Sequence, residues 1–236
     1  MFKQILAAVA SISLLVLPSL AFAQDDVPVQ DEAPVEAEAE APAPARSYPR
    51  VNFDETEDLD NVWLLDLSNG QRVAIRLMPQ WAPEHVARVK ELTRQGFYNG
   101  VVFHRVIEGF MAQGGDPTGT GQGGSQLPDL KAEFNPMPHI RGTVSMARAA
   151  SDDSANSQFF IVFYPRFSLD KKYTNFGRVI DNMSAVDSIT RGEPPANPTR
   201  ILQASIAADG RGRPAPPAPP QAEEEITLDA LNAPLN

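Results

Sequence analysis

From residue 62 onward, apolar and polar positions alternate in short blocks. VWLLDL (62–67) and RVAIRL (72–77) are two apolar-rich runs joined through Ser68-Asn69-Gly70. Asn-Gly tolerates the positive φ angles of a tight hairpin, so two antiparallel strands are predicted. Pro83 then stands at a first helical position, Val86, Val89 and Leu92 recur at helical spacing, and Gly96 can close a helix in a left-handed conformation. A helix of about 13 residues is predicted there. Further on, VVFHRV, GTVSMA, SQFFIVF, TNFGRVI and TRILQASIA are short runs of β-formers between long Gly, Pro and Asp stretches, with a second short helix predicted over residues 183–190. Many strands and few helices predict a mostly β fold, a closed barrel or a sandwich, between which periodicity does not choose.

The flanks follow another pattern. Lys3 precedes the apolar run ILAAVASISLLVLP, and Ala21-Phe22-Ala23 supplies the small residues that signal peptidase requires, so residues 1–23 read as a secretory signal cleaved after Ala23. The run is short of the roughly 20 residues that span a bilayer, which argues against a membrane anchor. Prolines crowd into APVEAEAEAPAPAR and GRGRPAPPAPPQAEEE, composition that a packed core could hardly accommodate. The predicted organisation is a signal peptide (1–23), an acidic Pro/Ala-rich disordered linker (24–48), one folded domain (49–207) and a Pro-rich acidic disordered tail (208–236). A polyproline segment such as PAPPAPP can recruit a partner, although a solvated linker is the commoner meaning of such composition.

Charge and cysteine narrow the function. Of the net −10, residues 24–46 contribute seven acids against Arg46, and residues 208–236 five acids against Arg211 and Arg213. Residues 47–207 are left nearly neutral, with 18 acids and 16 bases. No basic face is offered to a phosphate backbone, so nucleic acid is not an expected partner. Cysteine is absent, which excludes disulfides, thiolate nucleophiles, thiolate metal sites and a lipid-modified cysteine. The expectation is a soluble periplasmic protein, monomeric and free of the membrane once the signal is removed.

The chemistry-bearing stretch is FHRVIEGFMAQGGD (103–116), followed by GTGQGG and later by SMARAASDDSANSQFFIVF and LDKKYTNFGRVI. In this order, together with the FYNGVVFHR lead-in, these motifs closely resemble the cyclophilin family over residues 62 to about 207. The resemblance implies a closed eight-stranded antiparallel β-barrel capped by two α-helices, with the active groove on its outer face. It implies peptidyl-prolyl cis/trans isomerisation, with Arg105 catalytic, Phe110, Met111, Phe160 and Leu169 forming the proline pocket, and Gln113, Ala147, Arg148 and Gln158 binding the peptide around it. Tyr173 is expected at the rim. The implied partners are proline-containing segments of unfolded or exported proteins.

These residue types suit that reaction. The barrier to prolyl isomerisation, about 18–20 kcal/mol, comes from conjugation of the imide nitrogen with its carbonyl. A guanidinium that donates to the nitrogen lone pair as the bond twists favours the transition state over either planar isomer. An apolar pocket grips the pyrrolidine ring without competing for its polar neighbours. No cofactor, metal, nucleophile or general base is called for. Since arginine stays protonated, activity is expected to be nearly flat between about pH 6 and 9.

Other readings are weaker. Gly119 to Gly124 matches G-x-G-x-x-G, but no strand precedes it and no helix opens after it, so a long loop is expected. His85, His104 and His139 fit no zinc spacing, and His104, next to Arg105 on a strand, is expected on the opposite face as a hydrogen-bonded structural histidine. A hydrolase would need Ser145 or Ser157 as nucleophile, and neither lies in G-x-S-x-G. The main rival is a chaperone or binding module on the same fold. Ser168, Tyr173 and Arg148 stand where many family members have Trp, His and Asn, which implies weak cyclosporin inhibition unless Phe167 replaces the missing ring.

Overall fold

A computed structural model describes residues 48–215; the expected signal peptide, most of the linker and the tail beyond residue 215 lie outside the described residues. The hairpin forms as predicted, with β1 (Val62–Leu67) antiparallel to β2 (Arg72–Leu77). Only Gly70 of the Asn-Gly pair takes a positive φ (80°), and the Asn69 side chain accepts the Gln71 N–H at 3.1 Å. The loop is therefore a four-residue turn shaped by one glycine and one side-chain cap.

Helix α1 (Pro83–Arg94) begins with proline in its first turn and buries Val86, Val89 and Leu92. Gly96, at φ +74°, ends it: its N–H donates to Thr93 O at 3.0 Å and the Phe97 N–H to Leu92 O at 2.9 Å. That pair of bonds satisfies carbonyls the helix leaves open. The second helix, α2 (Met183–Asp187), is shorter than predicted, and Asn182 caps it by accepting the Ala185 N–H.

The other strands are β3 (Arg105–Ile107), β4 (Met111–Gly114), β5 (Thr143–Met146), β6 (Phe159–Val162), β7 (Asn175–Asp181) and β8 (Ile201–Ile206). They form one antiparallel sheet in the order β3-β4-β6-β5-β7-β2-β1-β8. The expected closed barrel is corrected to a curled, open sheet. Its edge strands β3 and β8 share no ladder; residues 100–103, ahead of β3, meet residues 199–201 through a few bonds around the Val102↔Arg200 bridge. Opposite β3 runs a segment holding Pro194, Pro195 and Pro198, which have no N–H to continue a ladder.

The concave face holds the core. Trp63, Tyr98, Phe103 and Phe159 interlock there, three pairs edge to face and Trp63–Tyr98 tilted, with ring centroids 4.9–6.1 Å apart among the contacting pairs. Arg76 on β2 is only 2% exposed, and its guanidinium donates to the carbonyls of Asn52, Asp54, Glu57 and Asp58, tying the lead-in segment to the sheet. At the other end, Gln203 Nε2 donates to Gly212 O at 2.9 Å and Arg213 lies 3.3 Å from Asp66, so the chain stays fastened past β8.

Candidate active site

Strand alternation separates core from pocket. Val106, Ala112, Phe159 and Ile161 belong to the main core, while Met111, Phe160 and Val162 form a second apolar cluster on the other face. Register then aligns the outer residues: Arg105 opposite Gln113, Gln113 opposite Phe160, and Phe160 opposite Ser145. A cation, an amide and an aromatic ring thus stand in one row, about 4.8 Å apart from strand to strand.

Arg105, Phe110, Met111, Gln113, Ala147, Arg148, Phe160, Leu169 and Tyr173 line a single pocket of about 330 Å³. Of the predicted site residues only Gln158 is not in its wall. It lines the adjoining, more polar cavity of about 460 Å³, which shares Gln113, Ala147 and Arg148 with the first. The two cavities are joined by an amide chain. Gln113 Nε2 donates to Gln158 Oε1 at 3.0 Å, and Gln158 Nε2 donates to the carbonyls of Gly121 and Gly123 at 3.1 and 2.8 Å.

Tyr173 meets Phe160 edge to face at 5.5 Å, and the Arg148 guanidinium lies 4.9 Å over its ring. That guanidinium is otherwise spent on the carbonyls of Lys172, Ala149 and Ala150 and on Asp152, so Arg148 braces the rim. Phe167 is 63% exposed and does not line the pocket.

The glycine-rich segment is a loop, organised by Asp116. Its buried carboxylate accepts from Thr118 N–H and Oγ1 and from the N–H groups of Thr120, Gly121 and Gly123. Burial pushes the carboxyl pKa up, but the bonds from Thr118, Gly123 and Gly121 outweigh it and bring the value down to about 2. A Cβ at Gly123 would stand 2.2 Å from Asp116 Oδ1, so only glycine lets the loop close on the carboxylate.

Two contributors were not predicted. Arg105 Nε donates to Glu193 Oε2 at 2.8 Å. His139, fully buried, has Nδ1 2.8 Å from Asp170 Oδ1 and Nε2 2.9 Å from Ser145 Oγ, and its ring stacks on Phe160 at 6.3 Å. Burial pushes the imidazole pKa down against the pull of Asp170. A neutral ring donating from Nδ1 and accepting the Ser145 hydroxyl satisfies both contacts. The Ser-His-Asp order is that of a hydrolase, but Ser145 and His139 are both 0% exposed, so no substrate reaches the hydroxyl. The chain braces the back of the Phe160 wall. Ser157 is also buried, donating to Gly115 O.

His104 is buried as expected, but the expected hydrogen bond is corrected: neither ring nitrogen has a partner among the described residues. Burial lowers its pKa, which keeps the imidazole neutral. His85 pairs with Glu133 at 2.8 Å.

Apolar walls, one amide residue and two arginines thus share one surface pocket. Residues 64–206 match the family described as cyclophilin type peptidyl-prolyl cis-trans isomerase/CLD, and the chain belongs to that family. It is 45% identical over 181 residues to a probable peptidyl-prolyl cis-trans isomerase of Brucella suis, covering 70% of this chain and 92% of that one. With peptidyl-prolyl cis-trans isomerase B of Bacillus subtilis it shares 41% identity over 128 residues, 54% of this chain and 89% of the relative. Among solved structures, a cyclophilin from Hirschia baltica superposes with a TM-score of 0.60 at 31% identity, covering 64% of this chain and 76% of the other. A cyclophilin type isomerase from Cryptosporidium parvum, crystallised in the presence of the dipeptide Ala-Pro, gives 0.57 at 28% identity, over 61% and 98% of the two chains.

Proposed function

We propose that this isomerase acts in the periplasm on proline-containing segments of exported proteins, and that Arg105 carries the chemistry. One observation carries the reading: Arg105 is the cation at the edge of a pocket whose walls include Phe110, Met111, Phe160 and Leu169. These walls hold the pyrrolidine ring by apolar contact while the acyl side rotates. As the imide nitrogen loses conjugation and pyramidalises, its lone pair becomes an acceptor, and the guanidinium donates to it most strongly at the top of the barrier. Gln113 lies between Arg105 and Phe160 in register, placed to hold a carbonyl beside the proline.

The test is isomerisation of a short X-Pro peptide by the purified chain and its Arg105→Ala variant. Loss of a donor aimed at the transition state is expected to cost about 3 kcal/mol, roughly a hundredfold in rate. A variant as fast as the parent would overturn the mechanism. Export rests on Lys3, the apolar run after it and Ala21-Phe22-Ala23. Mass spectrometry of the protein from a periplasmic extract is expected to find Gln24 as the first residue, and its absence from that extract, with Met1 intact on the protein left in the cells, would count against secretion.

A further inference from the structure

Glu193 does not line the proline pocket, yet its Oε2 accepts from Arg105 Nε at 2.8 Å, with the two side chains 50% and 43% exposed respectively. The segment that carries it is fastened to the strand that carries Arg105. The Val106 N–H donates to Gly192 O at 2.8 Å, and the Gly192 N–H to Val106 O at 2.9 Å. Gly192 sits at φ +144°, and a Cβ there would come within 2.6 Å of Pro195 Cα, so a side chain has neither the backbone angle nor the room. Pro194 and Pro195 then fix φ directly after Glu193. The carboxylate is thus delivered to Arg105 by a stiff segment locked on the same strand.

We propose that Glu193 is the positioning residue of the isomerase reaction: it holds Arg105 by Nε, from outside the pocket, and leaves the Nη1 and Nη2 donors to face the substrate. The proposal rests on the reading that Arg105 is the catalytic group. A guanidinium carries five N–H donors in a rigid fork, so fixing the Nε edge fixes the direction of the other four. An unpinned arginine spreads over many rotamers, only a fraction of which aim the fork at the prolyl nitrogen. Against this, the carboxylate damps the field of the cation. At a site this exposed, water screens that field strongly, and orientation is the larger effect.

The experiment compares X-Pro peptide isomerisation by the full chain and by its Glu193→Ala, Glu193→Gln, Arg105→Ala and Glu193→Ala/Arg105→Ala variants, each checked for an unchanged melting temperature. Glu193→Ala is expected to lower kcat about three- to fivefold at unchanged KM, the range open to an exposed pair. Glu193→Gln, whose amide oxygen still accepts from Nε, is expected to recover most of it. In the Arg105→Ala background the Glu193 change is expected to do nothing more. The Arg105 Nε–H NMR resonance should exchange slowly with water in the parent and quickly in Glu193→Ala. If Arg105→Ala is slow but Glu193→Ala matches the parent, or raises KM alone, positioning is overturned and the Arg105 reading stands. If Arg105→Ala itself turns over normally, the underlying reading fails instead.

Discussion

Phe159 and Phe160 are consecutive, both buried, both on β6, and have different duties. Phe159 meets Trp63, Tyr98 and Phe103 inside the curl of the sheet, whereas Phe160 meets His139 and Tyr173 on the outside. A pleat that reverses direction at each residue gives one strand a face for stability and a face for binding. The inner face packs rings against one another and against aliphatic side chains, whereas the outer sets three rings, a sulfur, one amide and two arginines around an opening. Burial alone therefore does not mark a residue as core; what surrounds it does.

The strongest way to break this division is Phe159→Ala. It is expected to cost about 4 kcal/mol of unfolding free energy, read from urea melts, because a ring is removed from a site closed on all sides. A loss below about 1 kcal/mol would show that the inner face can collapse into the gap. Asp116→Ala comes next, at about 2 kcal/mol, since several N–H donors then lose a charged acceptor. The loop that Gln158 grips should loosen with it, seen as faster amide exchange at Gly121 and Gly123. Phe160→Leu sharpens the comparison from the other side: stability should fall by less than about 1.5 kcal/mol, as for conservative apolar swaps, while peptide turnover drops about tenfold through the loss of the pocket wall. If turnover survives and stability collapses, the two faces have been assigned wrongly.

The smallest expected effect is on pH dependence. Burial holds the folded pKa of both His104 and His139 below the ordinary imidazole value of 6.5, so the unfolded chain binds more protons than the native one just below that pH. Their contribution to stability is present above pH 6.5 and is lost as pH falls below it. Asp116 acts in the same direction at the acid end, its contribution being lost between 3.8 and about 2. Melts at pH 7 and pH 5 should show the first loss, reduced in His104→Gln, while turnover stays flat from about pH 7 to 9 because arginine does not titrate there. A titration of kcat in that range would point to a different catalytic group.

Much of this arrangement is legible in the sequence, for reasons that can be named. The β1-β2 hairpin, α1 and the strands around GTVSMA, SQFFIVF, TNFGRVI and TRILQASIA each carry a local signal: a turn dipeptide, a helical period with a closing glycine, or a run of β-formers. The pocket set is legible only through resemblance, because alternation does not say which face of an isolated strand has a partner. Strand β4 escapes because its inward positions, Ala112 and Gly114, are too small to register as a hydrophobic period. VVFHRV reads as one strand, yet only its end joins the ladder with β4, while residues 101–103 meet Thr199–Ile201 through a few isolated bonds. Glu193 and His139 had no local signal at all. One lies 88 positions from Arg105 and the other 31 from Asp170, distances in sequence that only the folded sheet removes.

The two tryptophans of the chain, Trp63 and Trp81, are 0% and 4% exposed, and neither lines the pocket. Trp63 belongs to the inner core and Trp81 donates from its indole to Pro49 O at 3.3 Å, so their intrinsic fluorescence is an optical gauge of the folded interior: emission should shift to the red when the sheet opens and stay still when a proline peptide fills the groove. A ligand-induced change in that signal would have to travel through the sheet itself, which makes the same two indoles a built-in detector of any coupling between the two faces.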